Sequence, residues 1–304
     1  SGVTGFRNSP WQNFGKVRNR GLDGNIVLKQ NIQNVNLSFR GNFTYARNKV
    51  IEYDEIAPKY EYQRYTGNSL GKPCLYIAEG LYTNDDFNIT ENPENGSKSY
   101  VLKDGLAVPS GAVSPGDIKY KDLNNDGKID SYDTTYDHKF RSENPEIVYG
   151  FGLNAEYKGF YAGIFFQGVA NASMNLNGSI NFIPFNHGEL GPVRSEAVSH
   201  WSSKNPDNTD VMFPRLHTAN FSHNTYNSTW WYRDAGFLRL KNLEFGYNFD
   251  KELLKKCLMK QARLYVQGNN LAVWDNIKMW DPELGSAGAG VKYPINMTWT
   301  VGLE

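Results

Sequence analysis

Asp122, Asn124, Asp126, Asp130 and Asp133 fall around Gly127 in a run of twelve residues. Oxygen ligands at positions 1, 3 and 5, a glycine at 6, the Lys128 carbonyl at 7 and further oxygens at 9 and 12 are the pattern of a calcium loop. Side chains two residues apart converge on one point only where the glycine lets the chain fold back. Position 12 is Asp133, which reaches less far than the bidentate Glu of an EF-hand, and no helical pattern flanks the loop. An Asx-rich turn without metal would use the same residues. The run Asp122, Asn124, Asp126, Lys128, Asp130 and Asp133 is therefore the candidate metal site, for calcium of modest affinity, and no other cofactor is expected.

Nothing else in the chain has the spacing of a catalytic centre. The five histidines, His138, His187, His200, His217 and His223, form no HExxH pair and sit in segments read as loops, where a solvated imidazole is expected. Asp85-Asp86 is an adjacent pair on a polar loop and reads as solvated. Cys74 and Cys257 are far apart and make no metal or redox spacing, so both read as isolated thiols. The chain is expected not to be an enzyme, and its substrate-binding residues cannot be named from spacing.

The elements that would carry the loop are strands. Between Asn36 and Ala46 apolar or aromatic residues alternate with polar ones, and Leu22 to Lys29 does the same, which makes a hairpin. A second pair covers Ile147 to Gly168, with Lys158-Gly159 as its turn. A third covers Phe237 to Phe249 and Arg263 to Val273, joined by a Lys- and Leu-rich stretch suited to one or two helical turns. Within Phe237 to Phe249 the apolar phase slips from Leu240 to Leu243, as a β-bulge at Lys241-Asn242 would cause. Ile295 to Glu304 is the last strand and stops in mid-alternation, so further residues are expected after it. Leu75 to Tyr82 is a candidate for part of one more pair. Connections are short at 31–35, 158–159 and 250–262 and long at 50–145, 171–233 and 275–293.

Thirty-two Lys and Arg balance 32 Asp and Glu, which argues against a nucleic-acid partner. The mean hydropathy of −0.59 and the absence of a long apolar run exclude membrane-spanning helices. They do not exclude a membrane β-barrel, whose strands alternate lipid-facing and lumen-facing residues. The 34 Asn and 29 Gly suit turns and long polar loops. Residues 1–15 hold no apolar segment of a signal peptide, so either a targeting segment is removed or the chain is internal to something longer. A soluble β-sandwich alternates in the same way, but strands of ten or more residues with aromatic faces favour the barrel. Trp230, Trp231, Tyr232, Trp274 and Trp280, near predicted strand ends, are expected in an interfacial girdle, with sugar stacking as the competing role.

The chain resembles the SusC/RagA family of TonB-dependent outer-membrane transporters of the Bacteroidetes over nearly its whole length. The resemblance rests on Gly15 to Gly21, on Pro115 to Asp122 leading into Asn124 to Asp130, and on Phe237 to Leu243 followed by Gly246-Tyr247. It continues through Leu264 to Leu271 and Asp281-Pro282-Glu283. It implies an all-β fold: a transmembrane antiparallel β-barrel of about 22 strands around a plug, with this chain as its C-terminal section. Residues 50–145 and 171–233 are then extracellular loop regions.

The implied function is TonB-dependent import of oligosaccharides or oligopeptides across the Gram-negative outer membrane. The implied partners are a SusD-like lipoprotein lid, the upstream plug and strands, TonB through that upstream part, and outer-membrane lipid. The alternative is a secreted soluble β-sandwich that binds glycans and carries a calcium loop. A surface hydrolase is a weaker rival, for want of a convergent pair of carboxylates.

Overall fold

The structure, a computed structural model, describes residues 14–178, 182–185, 193–217, 221–256, 258–285 and 290–304. His187 and Cys257 lie outside them. Seven strands form one antiparallel sheet in chain order: β1 (Lys16–Ile32), β2 (Val35–Glu52), β3 (Ile147–Tyr157), β4 (Phe160–Ala170), β5 (Phe237–Asn248), β6 (Arg263–Asp275) and β7 (Thr298–Leu303). β1 and β2 run well beyond the predicted hairpin, because Lys16, Arg18 and Lys49 are exposed there and an extended strand tolerates charged residues where their side chains reach water.

Register explains the alternation. Leu28, Phe39 and Leu153 stand opposite one another across β1 to β3, and Leu153 stands opposite Ile164 of β4. Ile164 then meets Leu243, and Gly268 and Trp299 complete the row. One face is therefore apolar and aromatic from edge to edge. The other carries Asn42, Asn154, Gln167, Glu244, Gln267 and Thr300, so residues that alternate in sequence are sorted onto opposite faces. The apolar face is largely exposed, from Leu22 and Ile26 to Val301 and Leu303. Among the described residues the other sheets have two strands each, so none supplies the second large layer that a β-sandwich would need.

The bulge lies at Lys241. Phe165 pairs with Asn242 and Phe166 with Leu240, so Lys241 has no partner on β4, and opposite it β6 inserts Asn270 with φ 55°. The extra residue returns Leu243 to the apolar face that Leu240 occupies. At the Lys158-Gly159 turn both residues have positive φ, which suits the twist of a two-residue hairpin. Tyr149, Tyr161 and Tyr265 each lie over a glycine of the neighbouring strand, Gly168, Gly246 and Gly302, where a Cβ would meet the ring at 2.5 Å or less. These pairs cover what would otherwise be bare backbone.

The three short connections share one end of the sheet, and Lys251–Lys256 in the last of them is the expected helical piece. The long connections share the other end. Residues 53–146 contain only short strands that pair among the loops, such as Ala78–Leu81 with Ile118–Tyr120, so Leu75 to Tyr82 adds no strand to the large sheet. The buried core is in these loops: Ile118, Tyr120, Met174, Phe213, Trp231 and Met279 belong to one cluster drawn from all three long connections.

That core overturns most of the girdle expectation. Trp231 is 1% exposed and Tyr232 is buried, while Trp230 and Trp280 are partly buried against the same cluster. Only Trp274, 54% exposed on the apolar face, keeps a position suited to an interface. Buried Trp231 satisfies its indole by donating to the Asn224 carbonyl at 2.9 Å.

Candidate functional site

The predicted cation loop turns as its glycine requires, with Gly127 at φ 78° after Asn125 at φ 57°. Asp122 Oδ2 accepts from the Gly127 N–H at 2.8 Å, Asn124 Oδ1 from Asp126 at 3.0 Å, and Asp126 Oδ1 from Lys128 at 3.0 Å. Asp130 caps the turn Ser131–Asp133, and fully buried Asp133 accepts from the Leu123 and Asp130 N–H groups, both at 2.8 Å. Among the described residues no three His, Cys, Asp or Glu side chains stand together as a metal cage. Yet Asp122 Oδ1 is buried without a hydrogen-bond partner. Burial, with Asp122 and Asp130 close by, holds the Asp133 carboxyl above its ordinary range. An orphaned carboxylate oxygen and a carboxyl that resists ionisation are what an added cation would relieve, so the residues fit one.

Five residues before this loop lies a junction that spacing did not disclose. Asp117 is fully buried and accepts from Ser114 N–H (2.8 Å), Arg215 Nε and Nη2 (3.1 and 2.8 Å) and Asn224 Nδ2 (2.9 Å), with His217 Nε2 at 3.1 Å. Burial raises the Asp117 carboxyl, but the hydrogen bonds from His217 and Arg215 and the guanidinium charge outweigh it and hold the carboxyl below the carboxylate range. His223, 3% exposed, sets Nε2 2.7 Å from the Ile118 carbonyl, and burial pushes its imidazole below the ordinary value. His217 is stacked on Phe221 with ring centroids 4.0 Å apart. The expectation of solvated histidines fails for both, because the loops form a core of their own. Asp86 likewise is not solvated: it caps its own turn and pairs with Lys119 at 2.8 Å. Cys74 is a free thiol that burial pushes up.

Gly116 makes the junction possible. Its φ is +89° and an added Cβ would lie 2.2 Å from the Trp201 ring. Gly116→Ala is expected to cost about 2–4 kcal/mol from backbone strain and overpacking together, read as loss of near-UV circular dichroism from the loop layer. A wild-type spectrum and melting profile would show that Trp201 can move aside.

Where the loops meet the sheet, Arg239 of β5, 3% exposed, pairs with Asp281 at 2.5 Å and with Glu283 at 3.3 Å, and Lys241 at the bulge reaches Glu283 at 3.2 Å. Asp281 also accepts from the Glu283 N–H at 3.0 Å. Arg47 of β2 grips Glu146 with two bonds of 2.9 and 2.7 Å. Arg239 lies on the polar face, so residues 281–285 fold over that face and leave the apolar one free.

Three cavities lie in the loop layer, and one of them opens onto the polar face of the sheet. One of about 600 Å³ is lined by Gln167, Val169 and Phe237 of the polar face and by Pro282 to Gly285. It shares Ala172 and Ser173 with a second of about 640 Å³, which contains Arg141 and Arg233. Lys139, Phe140 and Thr229 are common to the second and a third of about 720 Å³, which ends at Lys121 and Leu123 beside the cation loop. Each has the size of a small-ligand site. Nothing in the sequence marked this row, because its walls are assembled from segments far apart in the chain.

The chain is 29% identical over 96% of its length to TonB-dependent receptor P3 of Formosa agariphila and 26% identical over 99% to TonB-dependent receptor P26 of the same organism. It spans about 30% of the length of these curated relatives. Its fold matches solved structures described as the RagAB peptide transporter, with a TM-score of 0.63 and 20% identity, and as the RagAB peptide importer in the closed-closed state, with a TM-score of 0.64 and 20% identity. Each match covers 99% of this chain and 30% of the other. No family model matches the chain.

Proposed function

We propose that this chain, a SusC/RagA-like TonB-dependent transporter sequence, forms the C-terminal section of an outer-membrane β-barrel that imports oligosaccharides or oligopeptides. The observation that carries this reading is the division of the seven-stranded sheet into a face whose central row is apolar across every strand and a polar face roofed by loops. Water cannot stabilise so wide an apolar surface, whereas lipid can. β1 and β7 offer free edges to the upstream strands that would close the barrel. Residues 50–145 and 171–233 are the extracellular loops, and the three cavities are the part of the substrate path that this chain supplies. A SusD-like lipoprotein covers the loops, and TonB acts through the upstream plug. The chain's own residues bind and guide the cargo and perform no covalent chemistry.

The test is native mass spectrometry of detergent-extracted material. A complex containing the full transporter and a lipoprotein is expected. A protein of this chain's mass that stays soluble without detergent would overturn the reading.

Calcium at residues 122–133 belongs to the same proposal. Asp122, Asn124, Asp126, Asp130 and Asp133, with the Lys128 carbonyl, would hold the ion, whose contribution is to neutralise the crowded carboxylates and stiffen the loop. Calcium is expected to slow limited proteolysis between Asp122 and Asp133 several-fold in the wild-type protein and not in Asp126→Ala. Equal cleavage rates with calcium and with chelator would leave only the Asx-rich turn.

A further inference from the structure

The middle cavity is unusually cationic. Lys139, Arg141 and Arg233 line it against a single carboxylate, Asp234, whose Oδ1 already accepts from the Gly236 N–H at 2.8 Å. Among the described residues no carboxylate lies within ion-pairing distance of these three cations. Arg233 is half-buried and gives Nη1 to the Trp230 and Tyr232 carbonyls at 2.6 and 3.1 Å, which fixes the guanidinium and leaves the rest of its fork without a hydrogen bond among the described residues. Burial, with no carboxylate to offset it, pulls that guanidinium below its ordinary value. Arg141 also crowds Lys72, whose ammonium is pushed down by burial and then by the Arg141 charge. Such a cluster costs folding energy that neighbouring acids usually offset, as Glu146 does for Arg47.

We propose that this cavity is an anion subsite for the imported oligomer, in which the Arg141 and Arg233 guanidinium groups bind a carboxylate and Lys139 adds charge at the wall. A planar guanidinium matches a carboxylate through two parallel hydrogen bonds. Asn171, Asn276 and Ser173 in the same lining supply uncharged partners for the rest of the oligomer. The shared Ala172-Ser173 wall sets the subsite directly beyond the space over the polar face, so a chain passing that face meets it next. The proposal rests on the import reading for the identity of its ligand as cargo.

The carboxylate could be that of an acidic sugar or of an acidic peptide, and the experiment separates them. The full transporter in detergent is titrated calorimetrically at low salt with hexagalacturonate, with hexaglutamate and with neutral maltohexaose. One carboxylated oligomer is expected to bind, and the one that binds names the source. Its affinity should fall at least tenfold in Arg141→Gln/Arg233→Gln, with partial recovery in the corresponding double Lys variant and unchanged near-UV circular dichroism. Binding of neither acidic oligomer, equal binding of maltohexaose, or wild-type affinity in the Gln variant would overturn the subsite. The titration needs neither TonB nor a lid, so a transporter that binds but does not import would defeat the import reading and leave the subsite standing.

Discussion

Replacing Asp117 with Ala is expected to destabilise the loop layer by about 3–5 kcal/mol. The loss goes beyond one ion pair, because Arg215, His217, Asn224 and the Ser114 N–H all turn toward the same two oxygens. Arg215 keeps some contact with water, its side chain being 32% exposed, which places the cost toward the lower end. The pH dependence has a definite sign. The folded carboxyl lies below its ordinary value, so its contribution is complete above the unfolded pKa near 4 and is lost as pH falls through the folded value. Loop unfolding should therefore steepen below about pH 4, and Asp117→Asn should flatten that acid limb while lowering stability at neutral pH. An acid limb identical in wild type and Asn variant would show that Asp117 is not what holds the loops. Asp133 works in the opposite direction: its raised carboxyl favours the fold at low pH, and that contribution is lost as pH rises through the folded value.

The second large effect is on the apolar face. Leu153 sits mid-strand in β3, 47% exposed, between Phe39 and Ile164. An arginine there should cost about 2–4 kcal/mol when the face meets lipid at the bilayer midplane. Phe245→Arg and Leu303→Arg, nearer the end with short connections, should cost less. Asn154→Arg, one residue on and facing the polar side, should change stability by under about 1 kcal/mol. Urea unfolding in lipid vesicles measures all four. Equal costs at 153 and 154 would mean that the two faces do not meet different solvents.

The strands were legible because a period of two needs only local information, and a register that pairs alike faces confirms it. Even the bulge could be read, since the slip between Leu240 and Leu243 has few other physical causes. The loops were not legible in the same way. Asp117 and Arg215 lie 98 residues apart and meet at 2.8 Å, and no periodicity predicts such a contact. The motif Pro115-Gly116-Asp117-Ile118 carried a family resemblance, and the structure supplies its physical content: a left-handed glycine under Trp201 followed by a buried carboxylate. Asp281-Pro282-Glu283 and the Arg239 segment of β5, quoted as separate pieces, interlock directly. The girdle reading failed because an aromatic residue near a strand end is equally suited to the core of a large loop. The calcium pattern identified a sharp turn correctly, since spacing determines backbone geometry more firmly than it determines an occupant.

The placement of the aromatic core in the loops has a calorimetric consequence. Heat capacity rises on unfolding in proportion to the apolar surface newly wetted. Trp201, Phe213 and Trp231 pass from protein to water when the loops open. In the proposed barrel, Leu153 and its row would touch lipid or detergent before and after. A scanning experiment should therefore register a heat-capacity step set by the loops alone, far smaller than the chain's length would suggest. The sheet would persist through it, melting only when its second solvent is withdrawn.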